Sequence, residues 1–403
     1  RRDGSSKFGP KNKYGYFPSG SIGWNVSEEN FLKDSNWINS LKLIASYGII
    51  GNDRIGDFGY LSRLSGEATY VTNEEVVEAD LLNGVAEGLV ANPQIRWEKQ
   101  KTGNIGFDAK LFNSSISISM DAYSKKTEDL LINAQASGLI GAAAPGSGTP
   151  IINAGTVENK GLEFKIGYDK NISEDFSLNV SYNISTLKNE VLFVESENGF
   201  IDAGEYGVGL GITTSRMEAG QPLGYFYGYK TNGIYQTYEE IDALNAAAPE
   251  GKYHTGAQPG DLKFVDTNGN GYIDAGDKTY IGDPIPDITM GFNLGFTYKS
   301  FDFNSSAFVS LGNDMVRDYE RKDLYANRGT YMLDRWQGTG TSNSIPRAVG
   351  GASINLDNFN DFHVEDASFL RLQNVQLGYS LKEKSLAGSG LEKVRFYLSA
   401  NNL

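Results

Sequence analysis

Twelve residues of this sequence, DTNGNGYIDAGD at 266–277, carry the side chains of a metal-binding loop. Oxygen-bearing side chains stand at loop positions 1, 3, 5, 9 and 12, and position 7 offers a backbone carbonyl. The residues concerned are Asp266, Asn268, Asn270, Asp274 and Asp277, with Tyr272 supplying the carbonyl. Gly271 stands at position 6, where an EF-hand calcium loop turns sharply. Because such oxygen atoms suit a hard cation, the spacing predicts one bound Ca²⁺ ion.

The sequence around this loop is unlike that around an EF-hand. PGDLKFV precedes the loop and KTYIGDPIPD follows it, so prolines and β-formers replace the amphipathic helices of an EF-hand. We therefore expect the loop to join strands and to act as a structural clip that stiffens a long connection. The alternative is an Asn- and Gly-rich turn whose side chains cap their own backbone.

Composition excludes several other kinds of site. The chain of 403 residues has no cysteine and only two histidines, which excludes disulfides, thiolate metal sites and multi-histidine zinc sites. His254 and His363 are far apart in the sequence, and no Ser or Cys motif accompanies them. We predict that the protein is not an enzyme. The formal net charge of −14 also argues against binding to nucleic acid.

The hydrophobic pattern alternates with a period of two, which indicates half-buried strands. No run of about 18 apolar residues is present, so no membrane-spanning helix is expected. The sequence is still compatible with a transmembrane β-barrel, because alternating strands give a weak hydropathy signal. Two strands illustrate the pattern, with one set of side chains expected to face lipid (Ile288, Phe292, Leu294, Phe296, Leu178, Val180, Tyr182) and another the barrel interior (Asn293, Thr297, Asn179, Ser181).

Short turns join the strands in pairs, and long connections separate the pairs. Residues 102–112 lead to 115–132, 160–170 to 175–187, and 287–299 to 301–312. The long connections are rich in Gly, Asn, Asp and Tyr and cover residues 51–94, 133–158, 188–222, 237–286 and 313–367. This layout predicts an all-β fold, an antiparallel transmembrane β-barrel of about eleven strands with short periplasmic turns and long extracellular loops. A β-sandwich would space its strands more evenly.

Two further features of the sequence predict local structure. The acidic stretches 73–80 and 238–252 indicate short helices within the long connections. Aromatic residues near strand ends are expected to form a girdle at the membrane interface: Tyr14, Tyr16, Phe17, Trp24, Tyr225, Phe226, Tyr227 and Tyr229.

Five segments of the chain together resemble the SusC/RagA-like TonB-dependent transporters of Bacteroidota outer membranes. They are GYFPSGSIGWNVSEENFL with SLKLIASYGIIGN, NPQIRWEKQKTGNIGFDAKLF, GQPLGYFYGYKTNGIY, PGDLKFVDTNGNGYIDAGDKTYIGDPIPDITMGFN and VEDASFLRLQNVQLGYSL. These segments occur in the family's order and span nearly the whole chain. The resemblance implies that residues 1–403 form the C-terminal portion, about half, of a barrel of about 22 strands. The N-terminal plug domain, the TonB box and the last strand or strands are then expected to lie outside this sequence.

The resemblance also implies a function and partners. Family members import large nutrients, oligosaccharides more often than peptides, across the outer membrane. A SusD/RagB-like surface lipoprotein forms a lid over the extracellular loops, and the TonB–ExbBD complex supplies energy through the plug. The expected location is the outer membrane of a Gram-negative bacterium, and the calcium loop is then extracellular. The alternative is a non-transporting surface scaffold within a larger outer-membrane assembly.

Aromatic residues in the long connections are candidates for substrate binding, because sugar rings stack on their apolar faces. They are Trp97, Tyr206, Tyr319, Tyr325 and Trp336. The alternative for each is packing within the loops or at the membrane interface.

Overall fold

The structure is a computed structural model that describes residues 1–71, 81–88, 90–134, 148–205, 207, 211–319, 321, 327–351, 353–381, 386 and 390–403. It divides into two compact units. One, here called the strand unit, comprises Arg1–Gly199, Ile288–Val309 and Leu370–Leu403. The other, the loop unit, comprises Phe200–Asp287 and Ser310–Phe369. The acidic stretch 73–80 lies outside the described residues.

Twenty-five strands, two short α-helices and four 3₁₀ helices make up the described secondary structure. In chain order the strands are β1 (Arg2–Gly4), β2 (Tyr14–Tyr16), β3 (Ser19–Asn25), β4 (Ile38–Asn52), β5 (Leu64–Val71), β6 (Leu81–Glu87), β7 (Glu98–Leu111), β8 (Ile116–Glu128), β9 (Leu131–Asn133), β10 (Ile151–Asn153), β11 (Gly155–Ser173), β12 (Phe176–Thr186), β13 (Lys188–Val194), β14 (Phe200–Ala203), β15 (Ser215–Glu218), β16 (Tyr225–Gly228), β17 (Thr231–Ile234), β18 (Leu262–Phe264), β19 (Thr279–Gly282), β20 (Ile288–Tyr298), β21 (Phe301–Leu311), β22 (Asp314–Val316), β23 (Val364–Asp366), β24 (Phe369–Ser380) and β25 (Arg395–Asn401). The helices are α1 (Tyr238–Ala247) and α2 (Ile354–Asp357). Among the described residues, no helix is long and apolar enough to cross a membrane.

An antiparallel sheet of eleven strands dominates the strand unit. Its strands follow the order β25-β24-β21-β20-β12-β11-β8-β7-β4-β3, and β13 pairs with β11 beside this path. The three predicted hairpins are confirmed as β7–β8, β11–β12 and β20–β21. Two of these turns contain left-handed backbone, with φ of +54° at Phe112 in the β7–β8 turn and +56° at Lys299 in the β20–β21 turn. The connection between β3 and β4, residues 26–37, is longer than the other described turns at this end of the sheet.

The register of the sheet separates apolar from polar side chains. Directly paired residues share a face in an antiparallel sheet. One face therefore carries the pairs Leu178–Phe296, Val180–Leu294 and Tyr182–Phe292, and the other carries Ser177–Thr297, Asn179–Gly295 and Ser181–Asn293. The apolar face is uncovered by protein: Ile22 is 72% exposed, Ile105 65% and Phe292 44%. A broad exposed apolar sheet face is stable when lipid covers it, and this is the wall of a transmembrane β-barrel.

The aromatic girdle differs from the predicted one. Tyr225, Phe226 and Tyr229 are buried inside the loop unit, and Phe17 is buried in a cluster with Trp97, so the prediction was wrong for these residues. The short-turn end of the sheet instead carries pairs of aromatic rings in contact. They are Trp37–Phe112, Phe176–Tyr298 and Phe301–Tyr379. Each pair contains a Trp or a Tyr, whose amphipathic ring suits the boundary between hydrocarbon and water.

The loop unit has its own small sheets and its own core. Its largest sheet has the order β14-β15-β16-β19, and β17–β18 and β22–β23 form separate pairs. Tyr229, Ile234, Leu262 and Phe264 form one buried cluster. The predicted acidic helix 238–252 is confirmed in part as α1, which ends at Ala247. It begins after Thr237, whose Oγ1 accepts a hydrogen bond from the Glu240 N–H at 3.3 Å.

The separation of faces predicts that the same substitution destabilises the barrel to very different extents at neighbouring positions. Phe292→Arg should destabilise the barrel by about 2–4 kcal/mol, because an exposed guanidinium near the membrane midplane loses its hydration. Asn293→Arg is the matched control on the polar face and should cost far less. The measurement is the free energy of unfolding in lipid vesicles by denaturant titration. Equal losses for the two variants would show that the assignment of the faces is wrong.

The layout of turns and loops predicts the direction of insertion. Residues 1–403 contain no cysteine, so a single cysteine introduced there is the only thiol of this part of the protein. A membrane-impermeant thiol reagent applied to intact cells should label Glu250→Cys in the loop unit and leave Ile172→Cys, at the end of β11 beside the β11–β12 turn, unlabelled. Labelling of both after cell lysis is the control. Surface labelling at position 172 without labelling at position 250 would show that the predicted direction of insertion is wrong.

Candidate functional site

The 266–277 loop joins two strands of the loop unit, as its flanks predicted. It follows β18, contains a short 3₁₀ helix at Ala275–Asp277 and ends at β19. Gly271 has φ of +90°, and a Cβ atom there would lie 2.8 Å from Cδ of Pro249. Glycine therefore meets two requirements at this position, the left-handed turn and the close approach of a neighbouring chain segment.

Asp266, at position 1, organises the first half of the loop. Its Oδ1 accepts hydrogen bonds from the N–H groups of Gly269 at 2.7 Å and Asn270 at 3.2 Å, and its Oδ2 accepts one from Gly271 at 2.8 Å. Desolvation alone would raise the pKa of Asp266. These backbone donors, with a smaller contribution from Asp277, outweigh it and hold the pKa below its ordinary value. The carboxylate is therefore ionised at neutral pH.

Asp277, at position 12, closes the loop from inside. Its side chain is fully buried, and its Oδ1 accepts hydrogen bonds from the N–H groups of Thr267 at 2.8 Å and Asn268 at 3.2 Å. Its Oδ2 accepts one from the N–H of Asp274 at 2.8 Å. The carboxylate of Asp277, the last loop residue, therefore binds backbone N–H groups from the start of the loop and from the turn near its end. A buried carboxylate is tolerated because all three donors point at it.

Side chains between Asp266 and Asp277 also accept hydrogen bonds from backbone N–H groups of the loop. The Asn270 N–H donates to Asn268 Oδ1 at 2.9 Å, and the Tyr272 N–H donates to Asn270 Oδ1 at 3.1 Å. Asn270 Nδ2 donates to Asp274 Oδ2 at 3.0 Å. Side chains capping their own backbone were the alternative to a cation site, and the structure contains those caps.

A position that the sequence reasoning missed anchors the loop to its surroundings. The Ile273 N–H donates to the carbonyl of Tyr253 at 2.6 Å, and the Ile273 side chain packs on the cluster that contains Phe264. An apolar residue at position 8 between two polar stretches was a readable signal of this anchor. The loop is therefore attached to the core of the loop unit at its centre as well as at its two ends.

The donor set of the loop suits a hard cation in its chemistry. An ionised carboxylate offers about four acceptor sites, and Asp266 and Asp277 each use three for backbone donors. In the described part of the chain, however, no three His, Asp or Glu side chains already converge on one point as metal ligands would. A bound Ca²⁺ would draw the carboxylates together and add the Tyr272 carbonyl.

The aromatic candidates fall into different environments. Trp97 is 7% exposed, and the rings of Phe8 and Phe17 lie 5.0 and 5.3 Å from its own, so it packs in a loop core and its ring is not open to a ligand. Trp336 is partly buried against the Phe264 cluster, and its Nε1 donates to Gln236 Oε1 at 3.1 Å. Tyr319 is 54% exposed, and the Arg317 guanidinium lies over one face of its ring, 5.9 Å from the centroid. Tyr206 and Tyr325 lie outside the described residues.

A buried polar node that the sequence did not reveal ties distant parts of the loop unit together. The Asp261 carboxylate is 1% exposed and forms an ion pair with Arg347, with Nε to Oδ1 at 2.7 Å. Asn355 Nδ2 donates to the same Oδ1 at 3.1 Å. These residues are separated by 86 and 94 positions, so no local pattern could predict them. Removing one partner of such a pair leaves a buried charge uncompensated.

Both histidines of the chain are buried parts of the same unit. Burial lowers the pKa of His254 to about 4, and its Nδ1 lies 3.3 Å from the Tyr235 hydroxyl. Burial likewise lowers the pKa of His363 to about 4, and its Nε2 lies 3.0 Å from the Asn355 carbonyl. Each ring is neutral at physiological pH and fixed by a hydrogen bond, which suits packing.

The polar face of the strand unit is lined by short and charged side chains. A recess of about 450 Å³ lies along it, bordered by residues that include Asp121, Glu163 and Lys165. Glycines let larger side chains lie flat across neighbouring strands; a Cβ atom at Gly291 would lie only 2.4 Å from Asn183 Oδ1. Asn179 Nδ2 donates to Asp169 Oδ2 at 3.0 Å on this face. This wall is thus polar.

Comparison with known proteins agrees with this architecture. The family model described as "TonB dependent receptor-like, beta-barrel" matches residues 1–403. The chain is 37% identical over 409 residues to the TonB-dependent receptor P3 of Formosa agariphila, covering 100% of this chain and 38% of that protein. It is 35% identical over 388 residues to the TonB-dependent receptor SusC of Bacteroides thetaiotaomicron, covering 95% of this chain and 36% of that protein.

A solved structure shows the same fold. The chain superposes on one titled "Structure of the RagAB peptide transporter" with a TM-score of 0.77 at 24% identity, covering 100% of this chain and 41% of that chain. The chain thus spans about two fifths of the length of the relatives that it matches. With an eleven-stranded sheet, an exposed apolar wall and a family match along its whole length, the chain belongs to the outer-membrane β-barrels of the TonB-dependent receptor family.

Proposed function

We propose that this chain forms part of the barrel of a SusC-like, TonB-dependent nutrient importer. The match of the whole chain to the receptor barrel family carries the proposal. The two-faced sheet supports it, because a hydrated inner wall beside a lipid-facing outer wall is what passage of a polar solute requires. Energy from TonB–ExbBD would reach the barrel through a plug domain.

The proposed cargo is an oligosaccharide, and the proposed partner is a SusD/RagB-like surface lipoprotein that closes over the loop unit. The exposed ring of Tyr319 offers the face away from Arg317 to a sugar ring, and the Ser- and Asn-rich wall offers neutral hydrogen-bonding groups. A peptide is the second candidate, since the RagAB structure is titled as a peptide transporter.

We propose further that the 266–277 loop binds one structural Ca²⁺. The support is the oxygen-only donor set, the spacing of the aspartates and the acceptor sites that Asp266 and Asp277 retain. The ion would sit about 2.3–2.6 Å from Asp266, Asn268, Asn270, Asp274, Asp277 and the Tyr272 carbonyl. It would offset two of the three negative charges of the aspartates and hold the loop in the form on which a lid or ligand docks.

The transport proposal predicts a dependence on TonB. Cells that carry the full-length protein should take up fluorescent oligosaccharide, and cells without TonB should fail to do so while still displaying the protein. Tyr319→Ala should lower uptake through weaker stacking, by about tenfold at limiting substrate if one ring contributes 1–1.5 kcal/mol. Tyr238→Ala, an equally exposed tyrosine on α1, is the matched control. TonB-independent surface display without uptake of any sugar or peptide would favour the scaffold alternative.

The calcium proposal predicts local loosening when the ion is removed. Chelation should increase protease cleavage within residues 260–280 while the barrel stays folded, because the ion stabilises the ordered loop alone. Asp266→Ala with Asp274→Ala should cause the same cleavage and make it insensitive to chelator. Asp242→Ala, an exposed aspartate on α1, is the control and should behave like the wild type.

Calorimetric titration with Ca²⁺ provides the direct readout of this proposal. One saturable ion per chain is expected for the wild type and none for the double variant. Wild-type protein that binds no Ca²⁺ at millimolar concentration would show that the side chains act as backbone caps alone.

A further inference from the structure

A belt of lysines and glutamates borders the apolar wall at its loop end. The register places these side chains on the same face as Ile105, Met120 and Leu162. Lys101 pairs with Lys126 and Lys99 with Glu128, and the belt continues onto β11 and β13. Its members are Lys99, Lys101, Lys126, Lys160 and Lys188 with Glu128, Glu158 and Glu190. Five lysines against three glutamates leave an excess of positive charge on a chain whose formal net charge is −14.

The height of the belt matches the lipid headgroups. Lys126 lies four residues beyond Ala122 on β8, and Lys160 lies two residues before Leu162 on β11. A strand rises about 3.3 Å per residue and tilts by about 40°, so the belt begins roughly 5–10 Å beyond the apolar band. The headgroup layer on each side of the hydrocarbon is about 5–8 Å thick. Lysine side chains reach into it with their stems against the apolar surface.

Two ammonium groups of the belt converge on one carboxylate. Lys101 Nζ lies 2.6 Å from Glu128 Oε2, and Lys126 Nζ lies 3.4 Å from Glu128 Oε1. Glu128 neutralises one of the two positive charges, and each ammonium has three donors. On the next strand, Lys160 Nζ lies 2.7 Å from Glu158 Oε2. The side chains of Lys101 and Lys126 are about a third or more exposed, so a second anion can approach both.

The opposite border of the apolar wall has a different chemistry. At the short-turn end, aromatic rings occupy the corresponding level, with Phe176 and Tyr298 on the apolar face and their centroids 6.4 Å apart. Lys170, which pairs with Leu178, also lies on this face near the short-turn end, but five lysines border the loop end. This difference in positive charge between the two borders fits a bilayer whose two leaflets carry different headgroups. The lysine border is the one from which the long connections leave, which is the extracellular border in outer-membrane barrels.

We propose that Lys101 and Lys126, supported by Lys99 and Lys160, bind the phosphate groups of a glycolipid in the extracellular leaflet. The acyl chains of this lipid would lie on the apolar wall below, against residues such as Ile105 and Met120. The phosphate would bridge the two ammonium groups in place of one of their contacts with Glu128. The lipid would hold the barrel at a fixed depth, a role separate from passage of cargo.

The test measures lipid binding to the purified full-length protein in detergent. The probe is diphosphoryl lipid A, compared with the same glycolipid without phosphates and with inorganic phosphate. Native mass spectrometry should show retained lipid A on the wild type, weak retention of the dephosphorylated lipid, and no displacement by millimolar inorganic phosphate. Equal retention of the two lipids would overturn the proposal, and displacement by free phosphate would show an anion site that is not lipid-specific.

Variants on adjacent residues separate the belt from general charge effects. Lys101→Gln with Lys126→Gln should weaken lipid A binding about twenty-fivefold, since each lysine near an anionic surface contributes about fivefold. Lys125→Gln removes the same charge from the neighbouring residue on the opposite face and should leave binding unchanged. Heat-modifiable migration in gels verifies that each variant is folded.

A third variant should change lipid A affinity in the opposite direction, and it keeps the test informative if the double variant fails to fold. Glu128→Gln removes the carboxylate that competes for both ammonium groups, so lipid A should bind more tightly, by about fivefold. Unchanged or weaker binding by this variant, or loss of binding by Lys125→Gln equal to that of the double variant, would contradict the proposed site.

Discussion

The register of the eleven-stranded sheet is the constraint on which the rest of this protein depends. Inside a bilayer every backbone N–H and C=O must pair within the protein, so the strands have to remain hydrogen-bonded to their neighbours. Because side chains alternate, a slip of one residue along any strand would turn its apolar residues inward and its polar ones toward lipid. The pairing of Tyr182 with Phe292, and of Ser181 with Asn293, therefore fixes the outer wall and the inner wall together.

The two borders of the wall follow from the same register. Strand ends at the turns carry aromatic rings, while the ends at the long connections carry Lys101, Lys126 and their glutamates on the same face. Neither feature needs a separate fold element, since each is a continuation of the alternation by two to four residues. Along one strand, the membrane thus favours aromatic side chains at the short-turn border, apolar side chains in the middle and lysines at the border next to the long connections. The proposed lipid site lies at this lysine border.

The loop unit is held by a different principle. Its strands are short, and buried polar nodes complement its small clusters of aromatic and aliphatic residues. Asp261 joins Arg347 and Asn355 across the unit, while Asp277 gathers the backbone of its own loop. Carboxylates that accept several donors cost little to bury and define geometry closely. This explains how a loop between strands keeps the ligand spacing of an EF-hand without its helices.

The sequence alone determined the features that depend on local spacing. Period-two alternation located β12, β20 and the three tight hairpins, and oxygen spacing located the 266–277 loop with Gly271 at its turn. The acidic stretch 238–252 contained α1. Each of these signals lies within a few residues of the structure that it specifies, which is why it can be read without neighbours.

Tertiary structure decided the features that depend on partners distant in the chain. Tyr225, Phe226 and Tyr229 have the composition of an interfacial girdle, yet they are buried. Tyr280 stacks on Tyr225, β19 pairs with Phe226, and Phe264 stacks on Tyr229. Trp97 was a candidate for ligand stacking and is enclosed by Phe8 and Phe17. The Asp261–Arg347 pair and the convergence of Lys101 and Lys126 on Glu128 likewise arise only when strands align. The local sequence pattern determines which face of its strand a residue occupies. Only the folded structure determines which other residues contact it on that face.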